Sequence, residues 1–112
     1  TLSMIDDDDI EKALNWMRDN ADEAAKASGE VIRAEEYAKS TLALVASGSG
    51  QETIAGQERE ARLSAAYKKA IDEKVAATYA DRKFRLLYAA AEAKIDVWRT
   101  QQSNARAEGR VG

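Results

Sequence analysis

Residues 9–46 read DIEKALNWMRDNADEAAKASGEVIRAEEYAKSTLALVA, and their spacing decides the fold. Walking from Ile10 in alternating steps of four and three reaches Leu14, Met17, Ala21, Ala24, Ser28, Val31, Glu35, Ala38, Leu42 and Val45. All but Ser28 and Glu35 are apolar, and the run covers more than four heptads. A repeat sustained that long predicts a coiled-coil-like helix seam, not a generic amphipathic face. Its centre is rich in Ala, so a partner helix can approach closely. Glu35 interrupts the seam, and an unpaired buried carboxylate is costly, so the helix is expected to rotate toward Ala34 there. Asp9 is the expected N-cap, with Asp6 to Asp8 and Glu11 adding negative charge at the positive end of the helix dipole.

Outward from this helix, Ser47-Gly48-Ser49-Gly50 is a helix-stopping linker. Gln51 to Arg62 reads as a short extra helix with a weak point at Gly56, and a break is expected near Leu63–Ser64. Residues 65–106 contain no breaker and predict a second long helix, followed by a frayed tail at 107–112 that holds Gly109 and Gly112. Leu63, Tyr67, Ile71, Val75 and Tyr79 recur every four residues. Phe84, Tyr88, Ala91, Ile95, Trp98, Gln102 and Ala105 then follow a 4–3 alternation. Two stripes of different period drift apart around one helix and call for two partner surfaces. The expectation is a single all-α domain: a long antiparallel helical hairpin or coiled-coil-like bundle with the short helix added. Thin helices with Ala-rich seams bury little area, so a homodimer is expected.

Composition narrows the chemistry. The chain has 112 residues, no Pro, no Cys and no His. Missing Cys removes disulfides, thiol nucleophiles and Cys-based metal sites, and missing His removes the commonest general base and transition-metal ligand. Glu35-Glu36 superficially fits the magnesium-binding carboxylates of all-α nucleotide pyrophosphohydrolases. Lys39 stands where the third carboxylate belongs, and the pattern fails. Asp6 to Asp9 lack the Gly-centred loop and closing Glu of a calcium site. No Gly-rich loop follows a strand, so no phosphate-binding loop is present. A non-enzymatic protein with no cofactor is expected. No stretch approaches the ~20 apolar residues that span a bilayer, and the acidic start is the reverse of a signal peptide, so no membrane contact and a cytoplasmic location are expected.

Charge is unevenly spread. Residues 1–56 hold 12 acidic and 5 basic side chains, a balance of −7; residues 57–112 hold 8 and 12, a balance of +4. Such a split steers the two halves together or presents a basic face to an anionic partner. Arg82, Lys83, Arg85, Lys94, Arg99, Asn104 and Arg106 are the candidate contacts for nucleic acid or another partner. They interleave with Phe84, Tyr88 and Trp98, the combination of phosphate neutralisation and ring stacking that single-stranded DNA needs. Against this, the aromatics lie on the helix seam. Leu14, Met17, Val31, Leu42, Val45, Phe84, Ile95 and Trp98 are its structural members.

The segment from Ala93 to Ala107 reads AKIDVWRTQQSNARA. It resembles the C-terminal helix of a group of small phage-encoded helical proteins that carry Lys-Ile-Glu-x-Trp-Arg and then Asn-x-Arg-Ala. Matching positions are Lys94, Ile95, Trp98, Arg99, Asn104 and Arg106, with Asp96 in place of the usual Glu. Gln57 to Ala61 and Tyr67 are also similar, whereas Ala66 stands where the group often has Pro. The likeness covers about residues 30–107. It implies a phage setting, the host cytoplasm as location, and an accessory role near recombination or replication, with no settled activity to carry over. Three function classes follow: a binding accessory of phage DNA recombination or replication, an inhibitor of a host enzyme or defence system such as an anti-CRISPR protein, and a structural coiled-coil or assembly protein.

Overall fold

Asp6, not Asp9, caps the first helix. The Asp6 carboxylate accepts the Asp9 N–H at 2.8 Å, and the Asp9 carboxylate accepts the Asp6 N–H at 3.3 Å. This reciprocal pair satisfies two backbone donors at once, as a capping box does with Glu. The acidic run therefore does structural work as a unit: Asp6 caps, Asp9 answers it, and Asp8 pairs with Lys12 at 2.9 Å. The computed structural model describes the backbone of residues 4–111 and the side chains of residues 4–109; the Arg110 side chain and Gly112 lie outside the described residues. Three helices account for nearly all of it: α1 (Asp7–Ser47), α2 (Ile54–Leu63) and α3 (Ala65–Val111). The described residues contain no strand, and the fold class is all-α with two long helices and a short third.

Helix α1 ends without a left-handed glycine. Ser47 donates its hydroxyl to the Leu44 carbonyl at 2.7 Å, and the Gly48 and Ser49 amides reach back three residues to Val45 and Ala46. These tight bonds use up the last carbonyls of the helix. Helix α2 begins at Ile54, later than the pattern places it. Thr53 is extended and its hydroxyl accepts the Gly56 amide at 3.0 Å, which only a capping residue outside the helix can do. The break at Leu63–Ser64 is present. Ser64 ends α2 and starts α3 with one side chain, its hydroxyl donating to the Ala61 carbonyl at 2.6 Å and accepting the Tyr67 amide at 3.2 Å. At the other end, helix α3 continues through Gly109 to Val111, where fraying was expected. Gly109 has no positive φ, so it costs the helix propensity but does not stop it.

The chain packs as two compact units. One comprises residues 1–23 and 83–112, the other residues 24–82. In the second unit, α1, α2 and α3 each contribute a buried alanine: Ala38, Ala61 and Ala70. Val31, Leu42 and Val45 are half-buried, as are both Ala34 and Glu35, so the seam straddles those two positions. On α3, Tyr67 and Ile71 are half-buried while Val75 and Tyr79 are exposed. Helix geometry explains the change. Each step of four residues advances about 40° beyond a full turn, so three steps from Tyr67 to Tyr79 rotate the stripe by about 120°.

In the first unit, Ile10 and Ala13 are buried and Met17 is half-buried, but Leu14 is 51% exposed. The seam here runs Ile10, Ala13, Met17 and Asn20, a 3–4–3 alternation, not the 4–3 alternation through Leu14 and Ala21. Phase is the reason. Both walks share Ile10, Met17 and Ala24, and the bulk of Trp16 beside Ala13 selects the side of the helix that faces α3. Among the described residues, no large side chain is fully buried.

Candidate partner-binding surface

The first unit is held by one aromatic pair and a row of hydrogen bonds between α3 and the start of the chain. Trp16 of α1 and Tyr88 of α3 pack with ring centroids 5.1 Å apart and planes tilted by 57°, an arrangement favoured by the ring quadrupoles. The Tyr88 hydroxyl donates to the Met17 carbonyl. Ten residues along α3, the Trp98 indole N–H donates to the Asp7 carboxylate at 3.1 Å, and the Ile5 amide donates to the Gln101 side chain at 3.1 Å. As α1 advances ten residues from Asp7 to Met17, α3 retreats ten from Trp98 to Tyr88. The two segments therefore run antiparallel in constant register.

This arrangement places Trp98 half in the seam, its edge tied to Asp7, and leaves Arg99 outside. Neighbouring helical positions point about 100° apart, which is why one enters and the other does not. Phe84 and Ile95, on the same helix, are half-buried as well. Trp16 is the residue the 4–3 walk misses. Its signal is Ala13 one turn earlier: once the seam passes through Ala13 and not Leu14, position 16 turns toward the contact face as well.

All seven candidate contact residues, Arg82, Lys83, Arg85, Lys94, Arg99, Asn104 and Arg106, are exposed. They do not form one patch. Arg99 and Arg106, seven residues apart, share a face and line a hollow of about 510 Å³ with Trp98, Gln102 and Ser103. Lys94 lines a different open groove of about 400 Å³, where Lys12, Ala13 and Trp16 of α1 meet Leu87, Ala90 and Ala91 of α3. Asp9 also lines this groove, and Asp8 raises the Lys12 pKa above its ordinary value by hydrogen bonding to the ammonium. Lys83 lies eleven residues from Lys94 and so on the same side of α3, while Asn104 stands on a third side. Arg82, in the second unit, lines a hollow of about 420 Å³ with Ile71, Val75, Thr78 and Tyr79.

Among the described residues, no three Asp or Glu side chains are grouped so as to hold a metal ion. No helix there is long and apolar enough to cross a membrane. No protein-family model matches this chain, and no curated protein or solved structure does either. The functional reading therefore rests on the surface itself. Of the three hollows, the one at Trp98 gathers two of the candidate cations: the indole, two guanidinium groups and two neutral polar side chains share a helix face there. Such a set can neutralise phosphate and stack on a base; it has no group suited to proton transfer near neutral pH.

Proposed function

We propose that this chain is a non-enzymatic accessory protein that acts by binding, in phage DNA recombination or replication, and that it works as a homodimer. The observation that carries the binding reading is the distribution of apolar side chains. The described core contains Ile10 and four alanines, while Leu14, Ile32, Tyr37, Leu44, Leu63, Tyr79 and Leu86 are all exposed. Soluble monomers bury such residues more fully, and apolar surface left exposed on this scale marks a site for association.

The nucleic-acid part of the proposal is supported by the Trp98 hollow with Arg99 and Arg106. The phage setting is supported by the sequence likeness around Lys94 to Arg106. Titration of a fluorescently labelled single-stranded oligonucleotide at rising salt tests it. Binding should weaken as salt rises, and Arg99→Ala with Arg106→Ala should lower both the affinity and the salt slope. Affinity that is absent at low salt, or unchanged in the double variant, removes the DNA reading. The exposed apolar faces then favour the second reading, an inhibitor of a host enzyme or defence system.

A further inference from the structure

We infer that α3 pairs antiparallel with a second copy of this chain along the stripe Leu86, Ala90, Ala93 and Val97, about a two-fold axis between Ala90 and Ala93. The inference rests on the proposal that the chain works by binding, and it assigns the surface and the partner. The four residues follow a 4–3–4 spacing, the a/d pattern of a coiled-coil seam. Leu86, Ala93 and Val97 lie on the side of α3 turned away from Tyr88 and Trp98, which face α1, and Ala90 stands at its edge, where it also lines the groove against α1. None is buried: Leu86 is 72% exposed and Val97 36%.

Side-chain size and charge select the partner. Two alanines at the centre let two helix backbones come close, with a larger residue at each end. Reversing one copy sets Leu86 against Val97 of the second copy and Ala90 against its Ala93. Beside the stripe, Arg85, Ala89, Glu92 and Asp96 repeat the same 4–3–4 spacing, basic at the start and acidic at the end. In the reversed pairing, Arg85 of each copy faces Asp96 of the other, twice by symmetry. In a parallel two-fold pair this flank of the second copy turns to the opposite side of the seam, so Arg85 and Asp96 do not meet. Asp96 lies 3.7 Å from Arg99 in an exposed pair of the kind that contributes little, so it can turn to a new partner.

Because the chain has no cysteine, disulfide mapping reads the pairing directly. A mixture of Leu86→Cys and Val97→Cys chains in a glutathione redox buffer should yield the mixed disulfide dimer, and Leu86→Cys alone should yield little. Sedimentation equilibrium should give twice the chain mass for the unmodified protein at tens of micromolar. Ala93→Glu, which places a charge at an exposed helical position, should raise the dimer dissociation constant at least tenfold with unchanged far-ultraviolet circular dichroism. A single species at the chain mass overturns the inference, as does a dimer unaffected by Ala93→Glu or efficient self-crosslinking of Leu86→Cys. The Trp98 hollow lies off this stripe, so a monomeric chain that still binds DNA refutes the pairing and leaves the binding reading intact.

Discussion

The phenolic O–H of Tyr88 donates to the backbone carbonyl of Met17, 71 positions earlier in the chain, while the Tyr88 ring packs on Trp16. One side chain thus fixes both the depth and the register of α3 against the first turns of α1. The Asn20 side chain reinforces the same spot from within α1, donating to the Trp16 carbonyl at 2.9 Å.

Tyr88→Phe keeps the ring and removes only the donor. It should cost about 0.5–1.5 kcal/mol, the usual net worth of one hydrogen bond. Tyr88→Ala removes the ring as well and should cost more than Tyr88→Phe. Urea unfolding followed by tryptophan fluorescence measures both, and equal costs would show that the hydroxyl, not the ring, supplies the stability.

Trp98 and Arg99 should separate structure from contact. Trp98 is half-buried, so Trp98→Ala should cost about 2 kcal/mol, below the ~3–5 kcal/mol of fully buried aromatic truncations. Arg99→Ala should leave Tm within about a degree, because its pair with Asp96 is exposed. A thermal melt that falls as far for Arg99→Ala as for Trp98→Ala contradicts this division.

Gly29 and Gly56 should respond oppositely to alanine. A Cβ at Gly29 meets nothing within 4 Å, and the residue lies inside α1, so Gly29→Ala should stabilise by about 0.5–1 kcal/mol. At Gly56 the added carbon would stand 3.0 Å from the Thr53 hydroxyl and 3.2 Å from the Gln51 Cβ. The capping turn would have to open, and the propensity gain should be lost. Paired melting curves decide it; equal gains at both sites would mean the turn yields freely.

Ser64→Ala should cost about 1 kcal/mol, within the range of lost N-caps. The hydroxyl serves both the end of α2 and the start of α3. Amide hydrogen exchange should therefore quicken at Tyr67, whose N–H loses its acceptor. Unchanged exchange at Tyr67 would show that water replaces the cap at no cost.

The elements were legible in the sequence because they rest on local rules. A helix-period apolar repeat from Ile10 to Val45, a Ser-Gly linker and an unbroken run after Ala65 specify long helices whatever they pack against. The break at Leu63–Ser64 was readable for the same reason, since a serine hydroxyl competes for backbone donors within a few residues. Which face of each helix turns inward was not local. Ile10, Met17 and Ala24 fit both a 4–3 and a 3–4 walk, and the choice of Ala13 over Leu14 was made by Trp16 meeting Tyr88 across the chain. The acidic lead behaved likewise. Any of Asp6 to Asp9 can cap a helix, but the mutual bonds of Asp6 and Asp9, with Asp7 accepting the Trp98 indole, left one start. Periodicity constrains an angle around the axis only to within a residue. Bulky side chains from another segment remove that freedom, because a ring can be accommodated on one side of a helix and not on its neighbour.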